Sequence, residues 1–159
     1  MHLNHITKAL VGAVAVACLA PAAVAEARCK PQVDYSGTGT YEMTEYDVFA
    51  RGVGRVRGTP FDGQVTFMLR TDDGTMPAPG ECEPGGANFG VVGRHRKELS
   101  GVSLGEICGQ YVDDVYTVTQ VFTGQYSIYE STKRLKDTEG WIEIRLATDN
   151  RMAITLFDS

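Results

Sequence analysis

Trp141-Ile142-Glu143-Ile144-Arg145-Leu146-Ala147, the turn Thr148-Asp149-Asn150-Arg151, then Met152-Ala153-Ile154-Thr155-Leu156-Phe157: this stretch decides the fold class. Ile142, Ile144 and Leu146 alternate with Trp141, Glu143, Arg145 and Ala147, and after the turn Met152, Ile154 and Leu156 alternate with Ala153, Thr155 and Phe157. A period of two puts successive side chains on opposite faces of a strand. Asp and Asn tolerate the left-handed conformations that tight turns require. The reading is an antiparallel hairpin with one apolar face. Two strands do not hold together alone in water, so that face has to pack on more sheet or close with it.

Working outward, the same alternation recurs from Tyr35 onward, and no stretch sustains a 3.6-residue apolar period. In Gln64-Val65-Thr66-Phe67-Met68-Leu69-Arg70, Val65, Phe67 and Leu69 share one face. Further strand candidates are residues 39–50, 52–57, 88–94 and 115–130, the last expected to break at Thr123-Gly124. Residues 100–111 have room for a single helical turn. Gly37, Gly39, Gly52, Gly54, Gly90, Gly93 and Gly124 fall inside strand-like runs, where glycine marks bulges and bends that let a sheet curl. Seven or eight such strands predict an all-β fold, a small antiparallel barrel of about eight strands, with a two-sheet sandwich as the alternative.

The N-terminal residues carry a different signal. Lys8 precedes an apolar run, residues 9–19, and Ala23-Val24-Ala25 and Ala25-Glu26-Ala27 both fit the small-x-small cleavage pattern. Residues 1–27 therefore read as a secretory signal peptide and residues 28–159 as one domain, exported to the periplasm, cell wall or medium. Ala15-Val16-Ala17-Cys18 offers a second reading, a lipoprotein acylated at Cys18, and an uncleaved anchor is a third. After cleavage no run approaches the ~20 apolar residues of a membrane-spanning helix.

The net charge of −5 argues against a general binder of nucleic acid or anionic membranes. Cys29, Cys82 and Cys108 follow the leader, and an oxidising compartment favours a disulfide. Pairing Cys82 with Cys108 closes a loop of 27 residues and stabilises by about 3.5 kcal/mol in the chain-entropy model. Cys29 is then left unpaired or bonded to another chain. No Cys-x-x-Cys occurs and His95 is the one histidine after the leader, so neither a zinc site nor any other metal or cofactor is called for.

Phe122-Thr-Gly-Gln-Tyr-Ser-Ile-Tyr-Glu-Ser-Thr-Lys-Arg-Leu-Lys-Asp-Thr-Glu-Gly-Trp141 runs from a Gly-x-Tyr-x-Ile strand through a Thr-containing turn and a basic residue to a glycine that starts the next strand. This resembles the corner of the allene oxide cyclase-like and dirigent-like barrels, at Thr132, Arg134, Leu135 and Gly140. Ser131 and Lys133 stand where that corner has glycines, and the likeness covers residues 122–157, about a quarter of the mature chain. It implies an eight-stranded antiparallel barrel and assembly into dimers or trimers. Such barrels include cyclases, proteins that guide radical coupling and members of unknown role, and no catalytic residue transfers by motif.

Among residues able to do chemistry, His95 in Arg94-His95-Arg96-Lys97 reads first as a solvated loop and second as part of an anion-binding patch with Arg51, Arg55 and Arg57. A nucleophile–His–acid arrangement is not the expected reading of this residue. Asp72-Asp73-Gly74-Thr75, with Glu81, Glu83, Asp113 and Asp114, reads as turn and solvated surface before calcium, and Glu42, Glu45 and Asp47 as a solubilising face before a proton-transfer pair. Trp141, Glu143, Arg145, Thr155 and Phe157 occupy the polar face of the hairpin. If the aliphatic face fills the barrel they form its exterior; if they point inward they line a pocket with Tyr41, Tyr46, Tyr126 and Tyr129. The candidate ligand-binding set is Trp141, Glu143, Arg145, Tyr126 and Tyr41. The leading functional expectation is a non-catalytic module holding a small apolar or aromatic ligand in the barrel mouth. The alternatives are a cofactor-free cyclase or isomerase using the barrel cavity, and a structural or interaction protein of the cell envelope.

Overall fold

A computed structural model describes residues 32–44, 49–112, 117–132 and 134–159. The leader with Cys18, and Cys29, Glu45, Tyr46, Asp47, Asp113, Asp114 and Lys133, lie outside the described residues.

Eight strands follow in order: β1 Asp34–Met43, β2 Phe49–Thr59, β3 Gly63–Thr71, β4 Cys82–Gly93, β5 Glu98–Val112, β6 Thr117–Ser131, β7 Glu139–Leu146 and β8 Arg151–Asp158. Each pairs antiparallel with the next, and β8 pairs back on β1 from Asp34↔Phe157 to Thr40↔Arg151, so the sheet is a closed barrel and not a sandwich. The 142/144/146 and 152/154/156 side chains are all buried, and Asn150 takes the left-handed turn conformation at φ 63°.

Three local expectations change. The 39–50 candidate is two strands, because Met43 pairs with Ala50 across the β1–β2 connection. Residues 100–111 hold no helical turn and lie wholly within β5. Thr123-Gly124 does not interrupt β6; Gly124 faces Gly105 of β5, and the irregularity sits instead between Ser100 and Gly101. A glycine bends a paired strand without ending it while the ladder on both sides is kept.

The inner face of the barrel is filled by its own side chains, large on one strand against small on the next. A Cβ on Gly101 would lie 2.4 Å from Phe89 Cζ, on the residue directly across the β4–β5 ladder, and Gly52 receives the Phe67 ring in the same way. At Gly105 a Cβ would stand 2.0 Å from the Thr123 carbonyl oxygen, a backbone approach only glycine permits. Rings laid over cross-strand glycines are a known device for holding curved sheet. Val33, Phe61 on the β2–β3 connection and Leu135 on the β6–β7 connection are buried at one barrel end, where Phe61 meets Tyr35 edge-on at 6.2 Å. Of the corner residues, Thr132 ties that end together: its amide donates to the Glu98 carbonyl at 2.9 Å and its Oγ1 accepts from the Glu98 amide at 2.9 Å. At the opposite end Cys82 and Cys108 are register partners joined by a disulfide, as their spacing led us to expect.

Candidate functional site

Because β7 and β8 turn their aliphatic residues inward, Trp141, Glu143, Arg145, Thr155 and Phe157 lie on the outer wall. Glu143 and Arg145 form a mutual ion pair at 2.6 Å, whose hydrogen bond raises the Arg145 guanidinium further above its ordinary value. Tyr126 points the other way. Its ring is buried edge-on to Phe89 at 5.7 Å, and its hydroxyl donates to Asp158 Oδ1 at 3.3 Å. Burial, then the nearby Asp158 charge, pushes this phenol well above its usual range. Tyr41 is half-buried near the opposite end, where its hydroxyl donates to the Ala147 carbonyl at 2.7 Å and latches the β7–β8 turn. Burial, and then Asp149, raise it too. The five candidate residues thus divide between two faces of one sheet, and the full set does not converge.

One of them, Trp141, does line a site. A cleft of about 310 Å³ on the outer wall of β5–β7 is lined by Val102, Leu104, Gln125, Ser127, Glu139 and Trp141, with the backbone of Tyr126 and Gly140 in its floor. Register explains it: Leu104 pairs with Gln125, Gln125 with Trp141, and Trp141 with Phe157, so these four form one row across four strands. Leu104 is 79% exposed, Phe157 45%, Val102 42% and Trp141 38%. Leu104, Trp141 and Phe157 are thus exposed apolar side chains on a row that also carries Gln125, with Glu139 and Ser127 on its rim.

Val102 and Leu104 escaped the sequence reading because residues 100–111 read as room for a helical turn and not as a strand with two faces. In the middle of β5, between the buried Leu99 and Ile107, the inner positions are Gly101, Ser103 and Gly105, too small to fill space themselves. Ser103 is buried and its Oγ donates to the Gln125 carbonyl at 2.7 Å. The readable signal was Gly101-Val102-Ser103-Leu104-Gly105, a Gly-x-Ser-x-Gly match that runs straight along β5 with Ser103 buried, so it marks alternating faces and not the exposed strand-to-helix elbow of a serine nucleophile.

The remaining candidates are placed as follows. Asp73 holds a turn, its carboxylate accepting from the Thr75 amide at 2.9 Å and hydroxyl at 2.8 Å, which lowers its pKa. His95 is exposed in a single 3-10 turn, Arg94–Arg96. No group of three or more His, Cys, Asp or Glu side chains able to hold a metal ion occurs among the described residues. No helix among them is long and apolar enough to cross a membrane. No protein-family model, curated protein or solved structure matches this chain.

Proposed function

We propose that this chain is an exported, non-catalytic binding module that takes a small apolar or aromatic ligand on the outer wall of its barrel, between Leu104 and Trp141. The observation that carries the reading is the exposed row Leu104–Trp141–Phe157 bordering a concave surface. Pockets that bind small molecules are mainly apolar with a few polar groups to orient the ligand, the part Gln125 and Glu139 would play. The site proposed from sequence, the barrel mouth, is less favoured because Val33, Phe61 and Leu135 occupy one end. Export is supported by the signal-peptide pattern of residues 1–27, and the Cys82–Cys108 disulfide is compatible with an oxidising compartment.

Trp141 is the single tryptophan of the chain, so its emission reports on this cleft directly. Titration with the neutral dye N-phenyl-1-naphthylamine is expected to quench it saturably. Leu104→Ser should weaken the dye at least about tenfold, the equivalent of losing one partly buried leucine contact. As an outer-wall change it should alter stability by no more than about 0.5 kcal/mol. Linear, non-saturating quenching, or equal affinity in the variant, would refute the reading. Repeating the titration across protein concentrations separates ligand binding from self-association through the same row, which would mask the dye as concentration rises.

A further inference from the structure

A second concave surface lies on a different wall and has a different chemistry. A groove of about 790 Å³ on the outside of β2–β4 is lined by Arg55, Arg57 and Arg94, with Asp62, Gln64 and Val92 beside them. Arg55 and Arg57 stand two residues apart on one face of β2, so their Cα atoms are about 6.6 Å apart. Arg94 enters from the turn that follows β4. The ion pairs among the described residues are Glu143–Arg145 and Asp149–Arg151, so none of the three groove arginines has a carboxylate within ion-pair distance. Asp62 is the acid lining the groove, and its Oδ1 is engaged by the Gly58 amide at 2.9 Å. Two further carboxylates lie on this wall: Glu98, the register partner of Val92, and Asp34, which pairs with Thr59 two residues from Arg57.

Arg55, Arg57 and Arg94 thus line one concavity with no ion pair to a described carboxylate. They repel one another, and a single monovalent anion neutralises only one. A ligand with several charged oxygens neutralises all three, and the planar five-donor guanidinium grips such oxygens two at a time. We infer that this groove binds a soluble ligand carrying two or more phosphate groups, with Arg55, Arg57 and Arg94 supplying the positive charge. A terminal phosphate carries nearly two negative charges on three acceptor oxygens, against one charge on a sulfate ester or a carboxylate. The inference is independent of the Trp141 cleft.

The test is calorimetric titration of the folded, disulfide-bonded protein with sodium tripolyphosphate. The expected result is saturable binding that weakens as sodium chloride is raised. The double variant Arg55→Gln/Arg57→Gln should lose at least tenfold in affinity, while Arg145→Gln/Arg151→Gln, on another part of the wall, should lose less than twofold. Arg94→Gln alone, in an exposed turn, should lose at least threefold and serves if the double variant proves unstable by circular dichroism. Absence of saturable heat, or equal losses in both double variants, overturns the site. Citrate binding as tightly as tripolyphosphate overturns the phosphate class. Sedimentation with phosphatidylglycerol vesicles but no binding of tripolyphosphate overturns the soluble ligand in favour of a lipid surface.

Discussion

The β7–β8 hairpin and the middle of the β5–β6 pair use the same two-residue alternation in opposite senses. In the hairpin, Ile142, Ile144, Leu146, Met152, Ile154 and Leu156 point inward, and Trp141 and Phe157 point out among charged residues. In β5, Gly101, Ser103 and Gly105 face inward, while Val102 and Leu104 are exposed. The difference teaches that volume, not polarity alone, decides which face of a strand turns inward. A small barrel has a fixed interior, and large side chains from some strands require small ones on others. The apolar row on the outer wall is the other side of that arrangement, since β5 spends its inner positions on space for Phe89 and on close backbone contact.

The strongest way to break this comparison is to remove volume from the hairpin. Ile144→Ala leaves a hole among fully buried neighbours and should cost about 2–5 kcal/mol, read as a shift in the urea midpoint. A loss below about 1 kcal/mol would mean that the interior is loosely filled. Next in size is the opposite operation. Gly105→Ala puts a methyl group against the Thr123 carbonyl and should cost about 1–3 kcal/mol by the same measurement. If it is neutral, the close approach of β5 and β6 is not a constraint.

The smallest effect appears at high pH. Tyr35 and Tyr126 are buried, and desolvation raises both phenols above their ordinary 10.0. Their contribution is therefore fully present below pH 10 and is lost as pH rises toward the folded-state values, because the unfolded chain ionises first. Each tyrosine should lower stability by at most about 1.4 kcal/mol per pH unit in that window. Tyr126→Phe should flatten the fall between pH 10 and 11 in urea titrations, and an unchanged slope would contradict its burial.

Much of the fold was legible because alternation and burial agree in most strands. The hairpin, the Val65/Phe67/Leu69 face, the closure by kinked strands and the Cys82–Cys108 pairing all follow from residue pattern. β5 was not legible as a strand, because between the buried Leu99 and Ile107 its inner face is Gly101, Ser103 and Gly105, and that gap breaks the apolar stripe. Nor was the continuity of β6 through Gly124, since a glycine that bends and a glycine that breaks look alike until the partner strand is known. Of the candidate site, Trp141 could be named from its place in the alternation. Its neighbour Leu104 comes from residues distant in sequence and meets it only through the β5–β6–β7 register.

The seam between β1 and β8 has a consequence for how the molecule comes into being. The Val33 amide donates to Asp158 Oδ2 at 3.0 Å, across 125 residues, so the first strand waits for the last before its outer rim has a partner. Every truncated or half-synthesised form carries two unsatisfied β rims, the geometry that invites sticking between chains. If the chain is exported as proposed, it completes its ring on the far side of the membrane, away from the crowd of nascent copies.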